Sequence, residues 1–251
     1  MQQSNLYILI FSVALTVVLG GLLSIAAVGL KPLQTKAVEL DTKKQILSSV
    51  MEITSEMDVI GTFNTRTKSV AVNVEGELVE KDDEGATIVP EKINIEKESK
   101  KDSENKVLPV YLYMNEKDTT KVEAYIFAMF GTGLWDKIWG YVAVAPDLTT
   151  IKGISMDHKA ETPGLGARIT DKEVKDRYKG KQLFDSNGYL VGIEMKKGER
   201  GDSSLFDEHE VDGMSGATLT ANGVNEMLLK YIGFYQAYID KVKAGETVAL
   251  N

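Results

Sequence analysis

The stretch LPVYLYMNEKDTTKVEAYIFAMFG, Leu108 to Gly131, decides the fold. Two runs rich in Val, Tyr, Leu, Ile and Phe, Leu108–Asn115 and Val122–Gly131, flank the polar turn EKDTT. β-branched and aromatic residues fit a pleated, half-buried surface, and a short polar link suits antiparallel neighbours, so the stretch predicts a strand pair. Downstream, GYVAVAPDL and TIKGISMDH repeat the arrangement, and upstream the alternating KSVAVNVEGELVE (Lys68–Glu80) predicts another strand. LFDSNGYLVGIEM (Leu183–Met195) carries Asn187-Gly188, a hairpin-turn signal. Helices are expected over Asp41–Ile53, over Asp171–Tyr178, and from Ala221 onward, where Val224, Met227, Leu228, Tyr231, Ile232 and Tyr235 share one face. Strand runs and helices are segregated, which predicts an α+β fold: an antiparallel sheet with flanking helices.

The chain has 251 residues with 43% apolar and 26% charged content, enough for a sizeable core. Its net charge of −8 argues against a nucleic-acid partner, whose phosphates call for a basic face. The absence of cysteine excludes disulfides, thiolate metal sites and Fe–S clusters. His158 and His209 have no metal-ligand spacing, and Ser215 lies outside any G-x-S-x-G elbow. The charged run Lys81–Lys106 reads as an exposed connector.

Tyr7 to Leu30 is uncharged and about 24 residues long, enough to cross a bilayer core of roughly 30 Å. It is too long for a signal-peptide core and no basic residue precedes it, so a retained transmembrane helix is expected. With no ionisable group inside, such a helix offers no ion or proton relay. Lys31, Lys36, Lys43 and Lys44 follow it, and their bias alone would keep the following domain cytoplasmic. The expected organisation is a transmembrane helix over 7–30, a membrane-proximal helix, strand and charged variable region over 31–107, and a ligand-binding domain over 108–251.

Two glycine loops stand out. ETPGLGARI (Glu161–Ile169) brackets Leu165 between Gly164 and Gly166, which suits either close approach of a flat ligand or an ordinary turn. DGMSGATLTANGV (Asp212–Val224) runs from a small-residue turn into the last helix. A helix start seats phosphate well, yet Thr218 or Thr220 could equally be a plain N-cap, and chemistry alone favours the cap.

The motifs together carry a resemblance. DGMSGAT (Asp212–Thr218) is similar to the flavinylation signal of proteins that hold FMN through a threonine phosphoester installed by a flavin transferase. ETPGLG and GTGLWDKIWGYVAV are similar to the other signatures of that FMN-binding domain, and the order of parts behind a membrane helix matches. The whole chain resembles the C subunits of the sodium-translocating NADH:quinone oxidoreductase family, with the G subunit of the related ferredoxin:NAD oxidoreductase as the close alternative. An anchored, non-redox scaffold is the competitor from another class.

The resemblance implies that Thr218 becomes the phosphoester threonine, with Ser215, Gly216 and Ala217 shaping the turn around the phosphate and Asp212 belonging to the transferase signal. It places a flavin-binding glutamate–threonine pair on Glu161 and Thr162 and sets Leu165, between the flavin-binding Gly164 and Gly166, against the isoalloxazine. It assigns a basic flavin contact to Lys197, before Gly198, and leaves Thr220 as the plain cap. Trp135 and Trp139 are expected to pack under the site. The partners implied are the other integral and peripheral subunits of the oxidoreductase, the transferase and the bacterial inner membrane. A flavin relays electrons singly or in pairs and needs no catalytic acid or base here. The family also implies a periplasmic flavin domain, opposite to the lysine bias, and the expectation follows the family.

Overall fold

The computed structural model describes residues 4–82 and 84–246. It divides into two units, residues up to Thr42 and residues from Lys43 onward. Among the described residues the first unit is helical from Asn5, and its apolar side chains, Leu6 to Leu40, are exposed. It belongs to α1 (Asn5–Ser48), a 44-residue helix with Pro32 inside it. The separate helix expected over Asp41–Ile53 is therefore the end of α1, and it stops at Ser48. Pro32 removes only one backbone donor, and good helix formers on both sides carry the helix past it.

The second unit is built on a five-stranded antiparallel sheet in sequence order: β1 (Thr67–Asn73), β2 (Val107–Met114), β3 (Val122–Thr132), β4 (Lys137–Val144) and β5 (Ile151–His158). Both predicted strand pairs form, with Val110 opposite Phe127 and Tyr141 opposite Ser155. Alternation sorts the side chains of β2 and β3 to two faces. Leu108, Val110, Leu112, Met114, Phe127 and Met129 enter one core, and Tyr111, Tyr113, Ala124 and Ile126 enter the other. The second core is closed by Ile46 and Leu47 of α1 and by Val59 and Phe63 of α2 (Val59–Arg66). Because both faces are covered, β2 is buried along nearly its whole length, which explains its almost unbroken apolar sequence.

Two expectations fail for local reasons. The run Lys68–Glu80 is not one strand, because Asn73 ends β1 and its Oδ1 accepts the amides of Glu75 (3.1 Å) and Glu77 (2.8 Å) in a tight turn. The run Lys81–Lys106 is not a bare connector. It holds α3 (Ile95–Ser99), and Lys106, 3% exposed, donates its ammonium protons to the carbonyls of Glu98 (2.8 Å), Ser99 (3.3 Å) and Lys101. A lysine that reads as solvated thus satisfies the end of a short helix, and burial pushes its pKa down.

Beyond β5 the chain forms α4 (Lys172–Asp176), within the predicted span, and then a turn in which Asp185 Oδ1 accepts the amides of Asn187 and Tyr189. The hairpin that this turn predicted reduces to a single bridge, Phe184 to Leu190. The next residues instead form β6 (Glu194–Met195), parallel to β7 (Glu210–Val211). The last helix, α5 (Thr218–Lys243), begins three residues before the predicted Ala221. All six residues of its predicted apolar face are buried in the first core. The Tyr235 ring packs tilted against Phe127, centroids 4.8 Å apart, and its hydroxyl donates its proton to the Pro109 carbonyl at 2.9 Å. α5 is thereby fixed along β2 and β3.

Candidate functional site

The β3–β4 turn, the loop after β5 and the start of α5 meet around one side chain, Glu161. It is 4% exposed. Oε1 accepts the Trp135 amide at 2.9 Å, and Oε2 accepts the Thr220 hydroxyl at 2.5 Å. Two glycines make room for it: a Cβ on Gly133 would press on Oε1, and one on Gly166 would press on Oε2 and on the Thr220 oxygen. Thr220 is therefore not the expected cap. It lies inside the helix, where its hydroxyl faces the protein rather than the free amides, so it binds Glu161 instead.

The turn before α5 is tight. Gly216 has φ +72°, which favours glycine, and the Ala217 amide bonds the Met214 carbonyl at 3.3 Å. Leu165 Cδ2 lies where a Cβ on Gly216 would come within 2.9 Å, so the two glycine loops are in direct contact. Leu165 is nonetheless 40% exposed, and Gly164 supports its loop with φ +74°. Thr218 is the first helical residue and half-buried, and Ala217 before it provides no side-chain cap. The 26-residue helix thus starts with no side-chain cap and with no acidic residue in its first turn.

A third segment, Lys196 to Gly201, closes the back. A Cβ on Gly213 would fall against the carbonyls of Lys196 and Gly198, so the segment packs on the motif backbone. Asp212 is 7% exposed, and its carboxylate accepts the amides of Arg200 (3.0 Å), Gly201 (2.7 Å) and Gly213 (3.0 Å). Lys197 is exposed on this segment, whereas Lys196 pairs with Glu194 and Glu210, each at 2.6 Å.

Glu199 joins the segment to the rest. It receives a two-pronged bond from Arg168, 2.7 Å on each oxygen, and a third from Arg177 at 2.7 Å. Arg177 also donates to the carbonyls of Asp212 and Gly213. The Arg168 hydrogen bonds, then those of Arg177, lower the Glu199 pKa from 4.5 to about 2. A depressed carboxylate contributes stability above its unfolded pKa and loses it as pH falls through the folded one. Acid unfolding followed by far-UV circular dichroism should therefore show stability lost between about pH 4.5 and about pH 2, and Glu199→Gln should flatten that decline. An unchanged slope would assign the acid sensitivity to other carboxylates.

The two tryptophans depart from expectation. Trp135 is 67% exposed and donates its indole proton to Thr162 Oγ1 at 3.1 Å, so it stands beside the loop rather than beneath it. Trp139 is half-buried, with its indole on Gln45 at 3.1 Å, because strand alternation turns it to the other face of the sheet. Sequence reasoning missed Arg168, Arg177 and Glu199. Their only local mark is proximity to the motifs, Arg168 just after ETPGLGA and Glu199 just after Lys197-Gly198.

A family profile described as "FMN-binding domain" matches residues 133–233, a span that opens in the β3–β4 turn, closes within α5 and contains all three segments. Over nearly the whole chain, the C subunit of the Na(+)-translocating NADH-quinone reductase of Neisseria meningitidis serogroup A is 34% identical, covering 94% of this chain and 93% of its own. Its counterpart from Pasteurella multocida is 30% identical over 96% and 94%. The chain belongs to the family of Na(+)-translocating NADH-quinone reductase C subunits. Solved structures of the same family agree. The Parabacteroides distasonis protein matches with a TM-score of 0.70 at 30% identity, covering 84% of this chain and 96% of its own. The Shewanella oneidensis NqrC matches with a TM-score of 0.65 at 28% identity, covering 83% and 99%. In this member of the NqrC family, the α+β fold with an antiparallel sheet is the one that the sequence predicts.

Proposed function

We propose that this chain is the membrane-anchored electron-transfer subunit of a sodium-translocating NADH:quinone oxidoreductase, carrying FMN esterified through its phosphate to Thr218. The observation that carries the reading is the place of Thr218: first residue of a long, uncapped helix, half-exposed, with no hydrogen bond to its hydroxyl among the described residues. The residues around it fit the group. The uncapped start of α5 suits a phosphate, and Gly216 lets the turn close against Leu165, which a Cβ would push away. Leu165, exposed between Gly164 and Gly166, offers an apolar surface for a flat ring, and the Thr162 hydroxyl and the Lys197 ammonium supply polar contacts at its margin. Asp212 keeps the turn and the Lys197 segment together through the amides it accepts.

The bound flavin would supply one- and two-electron chemistry, and the protein's part is to hold it, position it and limit water around it. The partners in this reading are a flavin transferase during maturation and the other subunits of the oxidoreductase. The anchor is the apolar part of α1 in a bacterial inner membrane, with the flavin domain on the periplasmic side. Among the described residues α1 is one helix long and apolar enough to cross a membrane. The test is direct: the full chain, expressed in membranes with an active transferase, should give a band that keeps yellow-green flavin fluorescence through denaturing electrophoresis. A dark band from cells in which the transferase labels a known acceptor would reject the covalent link.

A further inference from the structure

We infer that Glu161 is a positioning residue for flavin attachment, acting through the Thr220 hydroxyl to fix the first turn of α5 and thereby aim the Thr218 oxygen. The inference rests on the proposed ester at Thr218 and adds a residue that acts without touching the flavin. Both carboxylate oxygens are already committed inward, to the Trp135 amide and to the Thr220 hydroxyl, and the group is almost wholly buried. No cation pairs with it among the described residues. Burying an ionised group without a counter-charge is costly, so its placement needs strong, directed donors, and here both come from segments that flank the candidate site.

The chemistry explains the residue type. One donor reaches each oxygen, and a carboxylate is the side chain that accepts on both and donates from neither. The Glu161 amide in turn donates to His158 Nδ1 at 3.2 Å, which anchors the clamp to the end of β5. Gly133 and Gly166 are the space that the clamp occupies. Thr218 lies two residues before Thr220, on the same helical turn. Releasing Thr220 frees that turn to rotate or fray, because the helix has no side-chain cap to hold it.

The test compares rates of flavin attachment to the full chain in membranes, read as in-gel fluorescence over time and normalised to the protease-resistant, folded fraction. Thr220→Val should slow labelling about ten-fold, the factor carried by one charge-assisted hydrogen bond. Thr220→Ser, which restores the hydroxyl, should return the rate to near that of the parent. Labelling of Thr220→Val at the parent rate would overturn the inference. So would a loss that merely follows the folded fraction, or a Thr220→Ser variant as slow as the valine. Fluorescence that persists in Thr218→Ala would instead overturn the ester at Thr218, an outcome that these Thr220 variants do not mimic.

Discussion

Thr218→Ala is expected to abolish the fluorescence of the denatured band while leaving the fold intact. The two halves of that result have separate causes. Thr218 offers a hydroxyl with no other bond among the described residues, whereas the neighbouring Thr220 hydroxyl is buried and bound to Glu161. Ser215 lies on the far side of Gly216, exposed and outside the helix, so its oxygen is displaced from the helix terminus. No nearby side chain can substitute, and the expected loss is complete. Stability should be spared, since Thr218 makes no cap bond and alanine favours helix by about 0.5 kcal/mol. A thermal midpoint within about 2 °C of the parent, measured on the detergent-solubilised chain, would follow from that balance. Residual fluorescence would move the attachment to another residue, Ser215 first.

Gly213→Ala is the second large effect, and it falls on stability. Gly213 has no positive φ, so the backbone would accept alanine; the obstacle is space. The new methyl would meet the carbonyls of Lys196 and Gly198, which are main chain and cannot swing aside as a flexible side chain does. Asp212 and Glu199 pin the segment from both sides through the amides of Arg200 and Gly201 and through Arg168 and Arg177. Relief therefore requires the Lys197 segment to leave the motif, a loss on the order of 3 kcal/mol. For a domain of this size that is a fall of about 6–12 °C in thermal midpoint. A midpoint unchanged from the parent would mean that the segment is only loosely seated.

Much of the sheet was legible because its order follows the chain: alternation and short turns mark β2 with β3 and β4 with β5 as neighbours, while the run that holds β1 reads as one longer strand. The motif loops were legible as motifs, and the start of α5 as a helix terminus. What escaped notice depends on distant partners. Thr220 and Glu161 are 59 residues apart, and Arg168 and Glu199 are 31 apart, and nothing in either neighbourhood announces the other. A threonine near a helix start reads as a cap until a buried acceptor claims its proton. In the same way Lys106 reads as solvent-facing until α3 supplies carbonyls for it.

α5 joins two roles that proteins often separate. Its first residue is the proposed attachment point, and its middle, through Tyr231, Ile232 and Tyr235, is part of the main core. A redox group tied to Thr218 would therefore share the stiffness of β2 and β3. When an electron arrives or leaves, little of the surroundings would need to rearrange, which keeps the barrier to transfer low and the distance to a partner constant from one turnover to the next.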